Sequence, residues 1–149
     1  MTKEYIRDIE LCPEGSDALK LLDSFNDTDV PYDDTQTVVS LFRKAAAQSP
    51  DNTAVIFKDK RYTYREVDSV SDKIAGYVSS LGLGRGDVVS LLIPRCEYMT
   101  TASLGALKAG CAYQPLDPTY PPERLNFMVQ DSGAKFLITT EALFTPSHY

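Results

Sequence analysis

The run from Leu107 to Leu125, Leu-Lys-Ala-Gly-Cys-Ala-Tyr-Gln-Pro-Leu-Asp-Pro-Thr-Tyr-Pro-Pro-Glu-Arg-Leu, constrains the fold more than any other stretch of this 149-residue chain. It compresses a helix end, a short strand and a helix start. Leu104 and Leu107 close an apolar helical face. Lys108 places a cation in the last turn, where the helix dipole favours it. Gly110 falls where a helix end needs a residue tolerant of positive φ. Cys111 to Gln114 then reads as a strand, and Pro115 ends it as a ladder donor. Asp117 to Tyr120 turns the chain. Pro121 and Pro122 suit the first turn of a new helix, because no N–H partner is needed there.

The flanking sequence extends the alternation. Val88 to Ile93 is a continuous apolar run, the pattern of a strand covered on both faces, and Pro94 ends it. Glu97 to Ala109 reads as a helix with Met99, Leu104 and Leu107 inside. Pro121 to Ser132 reads as another, with Leu125, Met128 and Val129 inside. Gly133 breaks it, and Phe136 to Thr139 is a third strand. The order β-α-β-α-β predicts an α/β fold with a parallel sheet and flanking helices. Upstream, Val38, Leu41, Phe42 and Ala45 share one helical face, with Asp34 or Thr35 as cap. Thr53 to Phe57 and Arg61 to Thr63 read as a hairpin around Asp59-Lys60. Thr63 and Glu66 have capping-box spacing. They open a helix whose apolar positions are Val67, Val70, Ile74, Tyr77, Val78 and Leu81, with Gly82 as its stop.

Charge separates the N-terminus from the rest. Residues 1–34 carry three Lys and Arg against ten Asp and Glu, a net −7, while residues 35–149 carry twelve against eleven, a net +1. The overall −6 argues against nucleic acid and anionic membrane as partners. Met1 to Glu10 is too polar for a signal peptide, and no apolar run approaches a membrane span. Three widely spaced cysteines fit reduced thiols in a cytoplasmic protein. Residues 1–34 read as an acidic linker with one helical patch of about two turns over Asp17 to Leu22, capped by Ser16.

The candidate sites divide quickly. Gly82-Leu83-Gly84-Arg85-Gly86 follows a helix and opens a strand, the reverse of a dinucleotide loop, so it reads as a turn. No Gly-Lys-Ser/Thr phosphate loop and no Gly-x-Ser-x-Gly elbow is present. His148, the only histidine, is one residue from the end and makes a poor triad base. Cys12, Cys96 and Cys111 lack zinc-ligand pairing, and Cys111 reads as a small buried thiol. Arg95, Cys96 and Asp117 follow the carboxyl ends of strands, where α/β sheets place ligands. The structural alternative, a turn-capping Asp117 and a solvated Arg95, is preferred for them. Arg124 reads as an ion-pair former rather than a phosphate clamp.

The order of residues 107–125 closely resembles the second core motif of the adenylation domains of non-ribosomal peptide synthetases. These belong to the adenylate-forming superfamily, with acyl-CoA and aryl-CoA ligases and luciferases. The usual form is Leu-Lys-Ala-Gly-Gly-Ala-Tyr-Val-Pro-Leu-Asp, then Pro-x-Tyr-Pro-x-Glu-Arg-Leu, and this chain departs from it at Cys111 and Gln114. Tyr62 to Val67 resembles the first core motif, Thr-Tyr-x-Glu-Leu, with Val67 for leucine. Phe25-Asn26-Asp27-Thr28, followed by Pro31-Tyr32, looks like the junction between a condensation and an adenylation domain.

The resemblance implies domains at 1–34, the inter-domain linker, and 35–149, the N-terminal portion of the adenylation fold. It implies a parent that uses ATP and Mg to turn an amino acid into aminoacyl-AMP and pyrophosphate. The aminoacyl group then passes to phosphopantetheine on a carrier domain. Implied partners are the remainder of the adenylation domain, the condensation and carrier domains, and the amino acid. The family's Ser/Thr/Gly-rich loop ending in Pro-Lys-Gly, its adenine, magnesium and ribose groups and its catalytic lysine do not occur before Tyr149. No catalytic, cofactor-binding or metal residue is therefore assigned here. The chain alone is expected to be inactive, to bind no cofactor tightly, and to expose unpaired sheet edges and apolar helix faces. The alternatives are another adenylate-forming ligase, for D-alanine and a carrier protein or for acyl-CoA, and a non-catalytic remnant or interaction module.

Overall fold

The computed structural model describes residues 14–144; Cys12 and His148 lie outside the described residues. The described residues fall into two compact units, one up to Thr35 and one from Gln36 onward. In the first, helix α1 spans Asp17–Asn26 and buries none of its side chains. Ser16 caps it as expected, its Oγ accepting from the Leu19 N–H at 3.2 Å. The helix runs on through Phe25-Asn26, past the two turns expected.

The second unit opens with α2, Val38–Gln48. Its cap is Thr37, not Asp34 or Thr35. The Thr37 hydroxyl accepts from the Ser40 N–H at 3.1 Å, and the Ser40 hydroxyl accepts from the Thr37 N–H at 2.8 Å. Thr35 is engaged elsewhere, donating its N–H and hydroxyl to Asp33. The inner face also differs from expectation. Ala46 is buried, whereas Val38 and Leu41 are exposed.

Strands β1, Thr53–Phe57, and β2, Lys60–Thr63, form the expected antiparallel hairpin. Lys58 supplies the positive φ (55°) that this tight turn needs. Helix α3, Tyr64–Ser80, then starts on the full capping box. Thr63 accepts from the Glu66 N–H at 3.2 Å, and Glu66 accepts from the Thr63 N–H at 2.8 Å. Its buried side chains are Val67, Ser71, Ala75 and Val78, while Val70, Tyr77 and Leu81 point outward. Val67, Ile74 and Val78 of the expected face pack inward, joined by the small Ser71 and Ala75. The cause lies on the neighbouring helix: a Cβ on Gly105 would stand 2.5 Å from Ile74 Cγ2 and 3.3 Å from the Ser71 carbonyl oxygen.

The sheet has the order β4-β3-β5, all parallel: β3 Val88–Leu92, β4 Ala112–Leu116 and β5 Phe136–Thr139. Helix α4, Tyr98–Lys108, joins β3 to β4, and α5, Pro122–Ser132, joins β4 to β5. β4 runs through Pro115 to Leu116, further than expected. Pro115 is tolerated because, among the described residues, β4 is an edge strand bonded only to β3. Alternation along β3 divides the core. Val89, Leu91 and Ile93 pack with Val78 of α3 and Ala102 and Ala106 of α4. Leu92 packs with Leu116 and Leu125 on the opposite face, under α5. Two helices thus cover one face and a single helix covers the other.

Asp87 knots the start of the sheet. Its carbonyl accepts from the Ala112 N–H at 2.9 Å, one carboxylate oxygen from the Gly84 N–H at 2.9 Å, and the other from Lys135 Nζ at 2.7 Å. The Lys135 bond, followed by that from Gly84, holds the Asp87 carboxyl below its ordinary range.

Candidate functional site

β3 leaves its carboxyl end through Pro94 and Arg95 toward α4 on one face. Its neighbour β4 leaves through Asp117 to Tyr120 toward α5 on the other. Adjacent parallel strands whose connections part to opposite faces leave a crevice at their carboxyl ends, where open α/β sheets bind ligands. A hollow of about 530 Å³ lies there, with Ile93, Leu116, Met99 and Met128 in its lining and Arg95 and Asp117 beside them. Asp117 takes the turn-capping role preferred for it and also borders the hollow. Its Oδ1 accepts from the Thr119 N–H at 2.9 Å and the Thr119 hydroxyl at 2.8 Å, so it caps its turn while lining the hollow. Those bonds hold its carboxyl below the ordinary range, and the nearby positive charge of Arg95 adds to the effect. Cys96, grouped with them in the sequence, packs instead against the Leu91 side of the core.

The remaining candidates resolve individually. Gly82 to Gly86 follows α3 and opens β3, so it is a turn, with Gly82 and Gly86 at positive φ (79° and 93°). Cys111 is 3% exposed, and burial pushes its thiol pKa up, away from nucleophilic chemistry. Arg124 takes an aromatic partner in place of the expected ion pair, its guanidinium carbon 4.4 Å from the Tyr120 ring centroid.

Three polar clusters escaped the sequence reading. The Lys108 side chain is fully buried, with Nζ 2.6 Å from Asp68 Oδ1, 2.8 Å from Asp72 Oδ1 and 3.1 Å from the Asp68 carbonyl. It binds α4 to α3 from the last turn of α4, where the helix dipole also favours a cation. The Lys108 bond is the main cause that lowers the pKa of Asp72. The available signal was Asp68 and Asp72, four apart on one helix face, with a lone cation inside an apolar run. Glu97, 6% exposed, accepts from Lys60 and from the Tyr62 hydroxyl, which pins the hairpin to the start of α4; its pKa is lowered, chiefly by Lys60. Gln114, the departure from the motif's valine, accepts from the Ser90 hydroxyl at 2.9 Å and the Ser132 hydroxyl at 3.0 Å, and donates to the Met128 carbonyl at 3.1 Å. Among the described residues no group of three or more His, Cys, Asp or Glu is placed to hold a metal ion. The donor set of the described residues therefore does not fit the magnesium implied by the resemblance.

Comparison with known proteins agrees with this architecture. Residues 42–148 match the AMP-binding enzyme family. The chain is 36% identical over 143 residues to gramicidin S synthase 2 of Brevibacillus brevis, covering 96% of this chain and 3% of that protein. It is 40% identical over 119 residues to tyrocidine synthase 2 of Brevibacillus parabrevis, covering 80% of this chain and 3% of that one. Among solved structures, a four-domain non-ribosomal peptide synthetase bound to AMP and glycine aligns with a TM-score of 0.67 at 32% identity, over 73% of this chain and 8% of that one. The NpsA N-terminal subdomain from Klebsiella oxytoca, in complex with 3-hydroxybenzoyl-AMSN, aligns with a TM-score of 0.65 at 26% identity, over 70% and 26%. The chain belongs to the AMP-binding enzyme family, and its likeness lies with the adenylation domains of non-ribosomal peptide synthetases. It spans 3% of the length of those two synthases.

Proposed function

We propose that this chain is the opening portion of an amino-acid-activating adenylation domain, with residues 1–34 as its inter-domain linker and 35–149 as adenylation fold. The parent activity is the reaction of an amino acid with ATP to give aminoacyl-AMP and pyrophosphate, with magnesium, followed by thioester formation on a carrier domain's phosphopantetheine. Its partners are the remaining adenylation domain and the condensation and carrier domains, in the cytoplasm. The observation that carries this reading is the run 107–125, folded as helix end, strand and helix start inside a chain 36% identical to gramicidin S synthase 2 over 143 residues.

The residues described here frame that chemistry without performing it. Carboxylate activation develops charge that needs convergent donors and cations around the reacting phosphate. The buried polar side chains here are instead committed to one another: Lys108 to Asp68 and Asp72, Glu97 to Lys60 and Tyr62, Ser90 to Gln114. The test is amino-acid-dependent exchange of labelled pyrophosphate into ATP, with the twenty amino acids pooled. The purified chain is expected to give the blank rate. Exchange above blank would overturn the assignment of all catalytic groups to other parts of the parent. Reading the coding DNA past the Tyr149 codon tests the parent directly: a Ser/Thr/Gly-rich loop ending in Pro-Lys-Gly is expected, and an immediate stop codon would favour the interaction-module alternative.

A further inference from the structure

The two outer edges of the sheet are not alike. Among the described residues β4 and β5 each pair with β3 alone, so each leaves one edge open. The outer edge of β4 holds Pro115, which has no N–H to offer a further strand. β5 carries no proline, glycine or charge, and its register with β3 is unbroken. The cation at its start, Lys135, is drawn back to Asp87 Oδ1 at 2.7 Å. The chain beyond β5 turns away from the edge, since Leu143 packs with Leu92, Leu116 and Leu125 under α5.

Beside this edge runs a groove of about 440 Å³ between α3 and β5, with Ile74, Tyr77, Phe136 and Ile138 in its walls. Tyr77 leans on Phe136, ring centroids 6.0 Å apart, yet stays 60% exposed. Strand alternation turns Phe136 and Ile138 to the groove and Leu137 to the opposite face, with α5. A strand added here has to offer apolar side chains to both faces in the same alternation, and β5 is itself such a strand.

We propose that this edge takes a second copy of the chain, β5 against β5 and antiparallel, about a two-fold axis normal to the sheet. Two three-stranded sheets then become one of six strands. That axis joins two identical edges and keeps each face of the sheet continuous. It also fixes the register, because only residues of like facing can stand opposite each other. Leu137 meets Leu137 on the α5 face, and Phe136 meets Ile138 twice in the merged grooves. The charges agree with this pairing. Residues 35–149 carry a net of only +1, so little repulsion opposes contact between them. Lys73 is the one charged residue lining the groove, a turn before Tyr77. The two-fold sets each Lys73 toward the Tyr77 end of the other copy, so the cations do not meet. An edge of three layers, about 30 Å deep along a strand about 13 Å long, presents on the order of 400 Å² per copy. The pair buries about 800 Å², less than the roughly 1,200 Å² of a stable interface, so the dimer is weak and reversible, in the sub-millimolar range. This association belongs to the chain itself and stands apart from the adenylation reading.

The test is sedimentation velocity on the whole chain from about 10 μM to about 1 mM, in about 0.15 M salt to screen the acidic residues 1–34. A reversible monomer–dimer equilibrium is expected, with no larger species, because a two-fold contact closes on itself. Tyr77→Glu, which puts a charge in the merged groove, is expected to raise the dissociation constant at least about tenfold. Tyr113→Glu, on the opposite edge strand, is expected to leave it unchanged. In a mixture of isotope-labelled and unlabelled chains at about 1 mM, nuclear Overhauser effects are expected between Phe136 of one copy and Ile138 of the other. A monomer at every concentration, open-ended assembly, a dimer indifferent to Tyr77→Glu or lost with Tyr113→Glu, or no Phe136–Ile138 contact between copies overturns the proposal. The contact between copies is read on the unaltered chain, so a variant that fails to fold does not shelter it. None of these outcomes bears on the pyrophosphate-exchange test.

Discussion

Helices α4 and α5 hold matching places in the chain, each carrying it from one strand to a parallel one, yet they are secured by different physics. α4 buries Thr101, Ala102, Leu104, Gly105 and Ala106, whereas α5 buries only Leu125. α4 is wedged among the sheet, α3 and α2, so small side chains and a glycine let the backbones approach. α5 covers its face of the sheet alone, and its Phe127 is 65% exposed. It is fastened by a polar latch, Gln114 to Ser132 and the Met128 carbonyl, more than by depth of burial. Where an element has neighbours on several sides, packing volume specifies it. Where it has one, directional bonds do that work.

Leu91 and Leu92 test the contrast most strongly, because they are adjacent and point to opposite faces, at 0% and 2% exposure. Leu91→Ala is expected to cost about 4–5 kcal/mol in urea unfolding, the upper part of the range for buried leucines, since two helices resist collapse around the cavity. Leu92→Ala is expected nearer about 3 kcal/mol, because α5 is free to settle inward. Equal costs would remove the distinction between the faces.

Lys108→Met comes next. It leaves Asp68 without Lys108 and Asp72 with only Arg43 at 3.3 Å, but these carboxylates are 32% and 49% exposed, so the cost is expected to be about 2 kcal/mol at neutral pH. The pH dependence has a definite sign. Lys108 lowers the folded pKa of Asp72 below its unfolded value near 3.8, so this stabilisation is complete above that value and is lost as pH falls through the folded pKa. Thermal unfolding of the two proteins is therefore expected to converge in acid. A gap of unchanged size there would show that the stabilisation does not come from the carboxylates of Asp68 and Asp72.

The latch gives the smallest effect. Gln114→Val restores the usual motif residue but strands the Ser90 hydroxyl, which is fully buried, and is expected to cost about 1–2 kcal/mol. Adding Ser90→Ala is expected to recover most of the loss, since both partners are then apolar. A double variant no better than the single would show that the latch does not act as a pair.

The sequence revealed what local rules control. The capping box at Thr63, the stop at Gly82 and the bounds of β5 follow from residues within a few positions of each other, and the parallel sheet follows from the order in which strands and helices alternate. The misreadings share a cause. On α3 the expected Val67, Ile74 and Val78 do pack inward, but Ser71 and Ala75 beside them were passed over, since the close neighbour there, Gly105, sits far off in sequence; on α2, Ala46 is buried while Val38 and Leu41 are exposed. The clusters at Lys108, Glu97 and Gln114 join residues 40, 37 and 24 positions apart at their widest, so no local pattern displayed them. The crevice was half legible: strand ends marked Arg95 and Asp117, but only the divergence of their connections brings both to one hollow.

The knot at Asp87 gives this sheet a fixed end and an open end. One residue holds the starts of β3 and β4 and, through Lys135, the approach to β5. Strand alignment is thus decided before the chain reaches the ends where Arg95 and Asp117 stand. Those far loops are released from the task of alignment. A residue replaced in those loops is therefore expected to leave the strand register as it is, because the register is set at the opposite end of the sheet.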